Sequence, residues 1–136
     1  MRKNRKRGYM IRTFERYAAL GIPTEAADVL LALEKINASA ECDSERRELI
    51  AVYITLLLLR ATEDKEVLES FLGVYLSGGD GVQKRIGKRV LRYSFETHRD
   101  ERTVYRLIAY AQKLYCRVLS EVLPEPSERI EKSRLS

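Results

Sequence analysis

The residue types that most often carry catalysis are sparse in this chain. Its single histidine, His98, rules out a multi-histidine metal site and leaves a histidine-dependent triad little to stand on. Cys42 and Cys116 lie far apart with no C-x-x-C spacing, which supports neither a disulfide framework nor a zinc cluster. Carboxylates are plentiful over residues 41–69 but fall at helix starts and on polar faces, with no pair set apart for general acid–base work. Gly78-Gly79-Asp80-Gly81 lacks the Lys-Ser/Thr of a phosphate-binding loop, and no G-x-G-x-x-G is present. The expectation is a protein that is not an enzyme and takes no cofactor or metal. The chemistry that is abundant is cationic. Residues 82–117 hold ten Lys/Arg against three Asp/Glu, a density beyond what solubility requires.

The charge is segregated along the chain. The 136 residues carry a net +5. Residues 1–16 hold seven basic residues and one acidic, residues 17–81 five basic and twelve acidic, and residues 118–136 three basic and four acidic. Two basic blocks flank an acidic middle. Clustered cations suit a polyanion, because neutralised phosphates release their counterions. A hydrophobic fraction of 45% is enough for a core. The longest apolar run, Leu49 to Leu59, is too short for a bilayer, which needs about 20 residues. No apolar leader opens the chain. A cytoplasmic location without a membrane partner is expected.

Helical spacing organises nearly the whole chain. Residues 1–8 read as a basic disordered arm. A helix is predicted from Tyr9 to Leu20, with Met10, Phe14, Tyr17 and Ala18 on one face, stopped by Gly21. Thr24 is the candidate cap of a helix to Asn37, its apolar stripe Ala27, Leu30, Leu31, Leu33 and Ile36. Ser44 or Asp43 caps a helix over Glu45–Arg60. Its wide face is Leu49, Ile50, Tyr53, Ile54, Leu57 and Leu58, and Val52, Leu56 and Leu59 make it apolar almost all round, as a central core helix would be. Thr62 starts a helix through Leu76 with the stripe Val67, Leu68, Phe71, Leu72 and Tyr75. Ser77–Gly81 breaks it.

A basic helix is expected over Val82–Glu96, with Val82, Ile86, Val90, Tyr93 and Phe95 supplying apolar contacts, and Gly87 required by close packing against another helix. Thr97-His98-Arg99 is a turn, Asp100 an N-cap. The last helix runs from Glu101 to Leu123 on Val104, Ile108, Ala111, Tyr115, Val118 and Val122, with Leu107 and Leu114 widening the stripe and Cys116 as a small packing residue. Pro124 and Pro126 end it, leaving a polar tail over 124–136. The fold class is all-α, five to six helices. Residues 9–61 form a helical partner or oligomerisation region and residues 62–123 a helix-turn-helix region.

That last pair of helices carries the functional information. In a helix-turn-helix the second helix lies in the major groove and the first crosses the backbone. The outer face of the last helix brings Arg102 and Arg106 one turn apart, with Tyr110 and Lys113 beyond and Thr103 and Tyr105 beside them. Arginine bidentate to guanine is the commonest specific contact to duplex DNA. Arg102, Thr103, Tyr105, Arg106 and Tyr110 are therefore candidates for base contact. Lys84, Arg85, Lys88, Arg89, Arg92, Arg99 and Lys113 are candidates for phosphate contact. His98 in the turn is a further phosphate neighbour or simply exposed.

Ser94-Phe-Glu-Thr-His-Arg-Asp-Glu-Arg-Thr-Val-Tyr-Arg106, followed by Ala111 and Leu114, resembles the C-terminal helix-turn-helix of ArpU/RinA-like phage and mobile-element transcriptional regulators, whose DNA-binding end is similar to region four of sigma factors. Val67-Leu-Glu-Ser-Phe-Leu-Gly-Val-Tyr-Leu-Ser-Gly78 resembles the helix and turn that open such domains. The resemblance covers about residues 63–120. It departs in a longer, more basic first helix, Gln83 to Thr97, and in Thr97 where an aliphatic residue is common. It implies sequence-specific binding of double-stranded DNA in transcription regulation, with RNA polymerase or a second copy of the chain as further partners. Rival readings are a small terminase-like DNA-packaging subunit, a sigma-like factor, and a helical interaction protein that binds no DNA.

Overall fold

The computed structural model describes residues 2–76 and 85–124, with side chains from Met10 onward. Among the described residues there are six α-helices and no strand: α1 Arg2–Ala19, α2 Val29–Ser39, α3 Asp43–Ala61, α4 Lys65–Phe71, α5 Ile86–Thr97 and α6 Glu101–Arg117. The last turns of the fourth and sixth helical segments widen into π-helix, Leu72–Leu76 after α4 and Val118–Val122 after α6. The all-α class expected from the periodicity is the observed one. Ser77–Gly81, Lys84 and the tail from Glu125 lie outside the described residues.

Several boundaries differ from expectation, each for a local reason. Residues 2–8, expected as a disordered arm, belong to α1; Arg and Lys are good helix formers and Gly8 alone costs about 1 kcal/mol. Gly21 ends that helix as expected, at φ +66°, a conformation that suits glycine. Thr24 caps nothing. A 3₁₀ turn at Ala26–Asp28 intervenes, and α2 begins only at Val29. Cys42, not Ser44 or Asp43, is the N-cap of α3; its sulfur accepts from the Glu45 N–H. Asp43 is already helical and binds Arg46 at 2.6 Å. Thr62 closes α3 instead of opening α4: its hydroxyl donates to the Leu58 carbonyl. Glu63 then takes φ +60° to reverse the chain, at a cost of about 1–2 kcal/mol, and Asp64 precedes α4.

One core joins the two halves of the chain. Phe14 of α1 sits at its centre, with ring centroids 4.9 Å from Phe71, 4.9 Å from Tyr75 and 5.1 Å from Tyr115. Edge-on and tilted aromatic pairs of this kind add to the burial energy. The helix α3 packs against α1, α2, α4 and α6, burying Leu49, Val52, Tyr53, Leu56 and Leu59. Its Arg47 donates to the carbonyls of Leu119 and Leu123, satisfying the C-terminal end of the last helix. The sequence boundary at residues 61 and 62 is therefore not a boundary in packing.

The α2 stripe is a correction. Ile36 is buried as expected and Ala32 with it, whereas Leu30 is 76% and Leu31 48% exposed and Ala27 is exposed. In an 11-residue helix that is apolar nearly all round, periodicity marks a helix but does not choose its buried face. The wide face of α3 is shifted similarly, with Leu58 37% exposed and Val52, Leu56 and Leu59 buried.

Two tyrosines hold the loop between α1 and α2. Tyr17 donates its hydroxyl to the Pro23 carbonyl at 2.6 Å, and Tyr53 donates to the Glu25 carbonyl at 2.7 Å. Arg60 donates to the Thr24 carbonyl. Burial above all, and then the nearby Tyr53, raises the Tyr17 phenol far above its ordinary value, against the opposing effect of Arg60. Burial raises that of Tyr53 as well.

Candidate nucleic-acid interface

The two helices of interest are joined by a three-residue turn. α5 ends at Thr97, and His98 follows in the left-handed region at φ +57°, its N–H donating to the Ser94 carbonyl. The Arg99 N–H donates to the same carbonyl at 3.1 Å, and the Ser94 hydroxyl donates to the Arg99 carbonyl. The Ser94 carbonyl in the last turn of α5 is thus satisfied by the turn itself, a capping arrangement common where a helix stops abruptly. Asp100 takes the extended N-cap conformation of α6 without a side-chain cap bond, and Glu101 brings negative charge to the first turn, where the helix dipole favours it.

The buried stripe of α6 is Val104, Leu107, Ile108, Ala111 and Tyr115, as the spacing indicates, and Val118 continues it. Opposite lie Arg102, Tyr105, Arg106, Tyr110 and Lys113, all exposed, with Thr103 half-buried at the edge. Arg102, Arg106 and Lys113 form no ion pair among the described residues. Cys116 is exposed rather than packed, with its sulfur 3.4 Å from that of Met10.

The candidate phosphate contacts divide. Arg85 and Lys88 are exposed and form no ion pair among the described residues. Arg92 is exposed and pairs along its own helix with Glu96 at 3.0 Å. Arg89 is engaged inside the fold: its side chain is 15% exposed and pairs with Glu15 of α1 at 3.5 Å. Arg99 is engaged likewise, reaching Glu66 at 3.6 Å and Glu69 at 3.5 Å and tying the turn to α4. Lys84 lies outside the described residues. A count of cations along the chain cannot separate those used within the fold from those left outward, because the partners of Arg89 and Arg99 are 74 and about 30 residues away in sequence.

Close packing occurs at a glycine other than the one expected. A Cβ on Gly87 would meet only the Tyr105 hydroxyl, at 3.8 Å, whereas a Cβ on Gly73 would lie 2.3 Å from the Tyr93 ring. Gly73, in the π-helical turn after α4, lets Tyr93 of α5 seat against the backbone. This fixes α5 on the core and leaves its opposite face outward. That face holds Phe95, expected to pack and in fact 83% exposed, and Leu91, 54% exposed.

Among the described residues no group of three His, Cys, Asp or Glu residues is placed to hold a metal ion, and no helix is long and apolar enough to cross a membrane. No protein-family model, curated protein or solved structure matches the chain.

Proposed function

We propose that the protein is a sequence-specific double-stranded-DNA-binding regulator of transcription, with α6 as the helix that enters the major groove. The observation that carries this reading is the outward face of α6. Arg102 and Arg106 stand one turn apart at its N-terminal end, unpaired among the described residues, opposite a stripe wholly committed to the core. The N-terminal part of the second helix is where a helix-turn-helix reads base edges. Two unpaired guanidinium groups suit bidentate contact to guanine, and Tyr105, Tyr110, Thr103 and Lys113 border them. Arg85 and Lys88, unpaired on the preceding helix, supply backbone contacts, which fix position without reading sequence. Arg89 and Arg99 act one step back, holding α5 and the turn to α1 and α4.

Selection from random duplexes tests the reading. An enriched motif is expected, with an affinity that falls steeply as salt rises from about 50 to 200 mM, because phosphate contacts release counterions. Failure to enrich any motif, together with a flat salt response, would refute it.

A further inference from the structure

Where α1 and α3 pack together they leave a cavity of about 320 Å³, with Arg12, Thr13 and Arg16 on the α1 wall and Ser44, Glu45 and Glu48 on the α3 wall. Its volume is at the small end of ligand pockets, about 300–1,000 Å³. One wall carries the cations and the other the carboxylates. At one end the walls meet: Arg16 binds Glu45 at 3.3 Å and donates to the Ser39 carbonyl at 3.2 Å. One turn along they do not. Arg12 forms no ion pair among the described residues, although Glu48 lines the same cavity. Glu48 is only 7% exposed, and it accepts from the Thr13 hydroxyl at 3.4 Å and the Ser44 hydroxyl at 3.5 Å. Both contacts are long beside the about 2.7–2.8 Å of an ordinary bond between oxygens. The Arg16 Nε is buried without a hydrogen-bond partner, whereas buried donors are nearly always met.

We propose that this cavity binds a small zwitterion, a molecule the size of a free amino acid with a carboxylate at one end and a primary ammonium at the other. The ligand carboxylate accepts from Arg12 and from the Arg16 Nε, and the ammonium donates to Glu48. Charge-assisted bonds of this kind are shorter and stronger than the hydroxyl contacts that Glu48 makes in the fold. The charge pattern disfavours the simpler ligands. A plain anion would lie against Glu45 and Glu48, and a plain cation against Arg12 and Arg16. Only a ligand with both charges meets each wall with its opposite. The cavity shares no residue with the outward face of α6, so ligand binding stands or falls separately from DNA binding.

The test is a nitrogen-15 NMR titration of the full chain with glycine, L-alanine and 4-aminobutyrate, beside acetate and methylammonium as single-charge controls. At least one of the three zwitterions is expected to saturate, with shifts confined to α1 and α3 around the cavity. It should also raise the unfolding midpoint, as a ligand of the folded state must. The tightest of the three gives the spacing between the two charges, and neither control should match it. Arg12 is exposed, so Arg12→Gln should leave the midpoint of the free protein unchanged while weakening binding about tenfold or more, the loss of one charge-assisted bond. Glu48→Gln should weaken binding as well; its own midpoint is measured because Glu48 is buried, and Arg12→Gln decides alone if that midpoint falls. No saturation by any of the three zwitterions up to about 10 mM would overturn the proposal. So would acetate or methylammonium binding as tightly as the zwitterions, or Arg12→Gln binding like the wild type.

Discussion

The helices α2 and α6 each offer an apolar stripe in the sequence and have opposite fates in the fold. In α6 the stripe read from spacing is buried from Val104 to Val118, with Leu114 half-buried and Val122 beyond it exposed, and the cations fall opposite. In α2 Leu30 and Leu31 of the expected stripe face outward, and Ala32 and Ile36 are the buried residues. The difference lies in how much polar residue each helix has to spend. α6 alternates apolar residues with Arg, Lys and Gln, so only one face can be buried without stranding a charge. From Val29 to Leu33 α2 is apolar at every position, so its orientation is set by what α3 offers it. A helix with an unambiguous polar face states its own orientation; one without depends on its neighbour.

Substitutions that match in sequence terms should therefore diverge. Ile108→Ala on α6 and Ile36→Ala on α2 both empty buried sites and should each cost about 2–5 kcal/mol in urea unfolding, whereas Leu30→Ala should fall within about 0.5 kcal/mol of wild type. A large loss at Leu30 would restore the stripe read from spacing, in which Leu30 faces inward. The two glycines near α5 give a smaller contrast of the same kind. Gly73→Ala drives a methyl into the Tyr93 ring and should destabilise by about 1–3 kcal/mol, while Gly87→Ala meets only the Tyr105 hydroxyl, at an ordinary contact distance of 3.8 Å, and should stabilise by up to about 1 kcal/mol. Equal effects at the two positions would contradict the seating of α5.

The pH response sharpens the picture at the α1–α2 loop. The Tyr17 and Tyr53 phenols are raised in the fold, so above the ordinary tyrosine value of about 10 the unfolded chain loses protons first. Their contribution is complete below that pH and should decline as pH climbs above it. Tyr17→Phe also removes the bond to the Pro23 carbonyl, so its urea midpoint should lie below that of the wild type at neutral pH and the two should converge in the alkaline range, the wild type falling more steeply. Parallel curves would remove the phenol from the account. The smallest stability effect is expected at the site itself: Arg102→Ala and Arg106→Ala should leave the unfolding midpoint within about 0.5 kcal/mol, because neither side chain contributes to the core.

Much of the fold was legible. Gly21 and the Thr97–Asp100 turn mark where helices stop, and the α6 stripe as far as Val118 marks its orientation. The central role of Phe14 was not legible, because its ring partners Phe71, Tyr75 and Tyr115 lie 57 or more residues away. The separation of Arg89 and Arg99 from Arg102 and Arg106 was not legible for the same reason, and neither was the exposure of Phe95, which depends on Tyr93 claiming the cleft at Gly73. Spacing finds faces; only long-range contacts say which of two faces is inward.

The central claim is that α6 reads bases through Arg102 and Arg106. Its most direct test is a binding titration of Arg102→Ala and Arg106→Ala on the selected duplex and on a scrambled one, beside Arg85→Ala. Each α6 variant should lose about 1–3 kcal/mol on the selected duplex and relax preference at one base position, with little change on the scrambled duplex, while Arg85→Ala should weaken both alike. Equal losses on both duplexes from the α6 variants, or no loss on either, would contradict the claim.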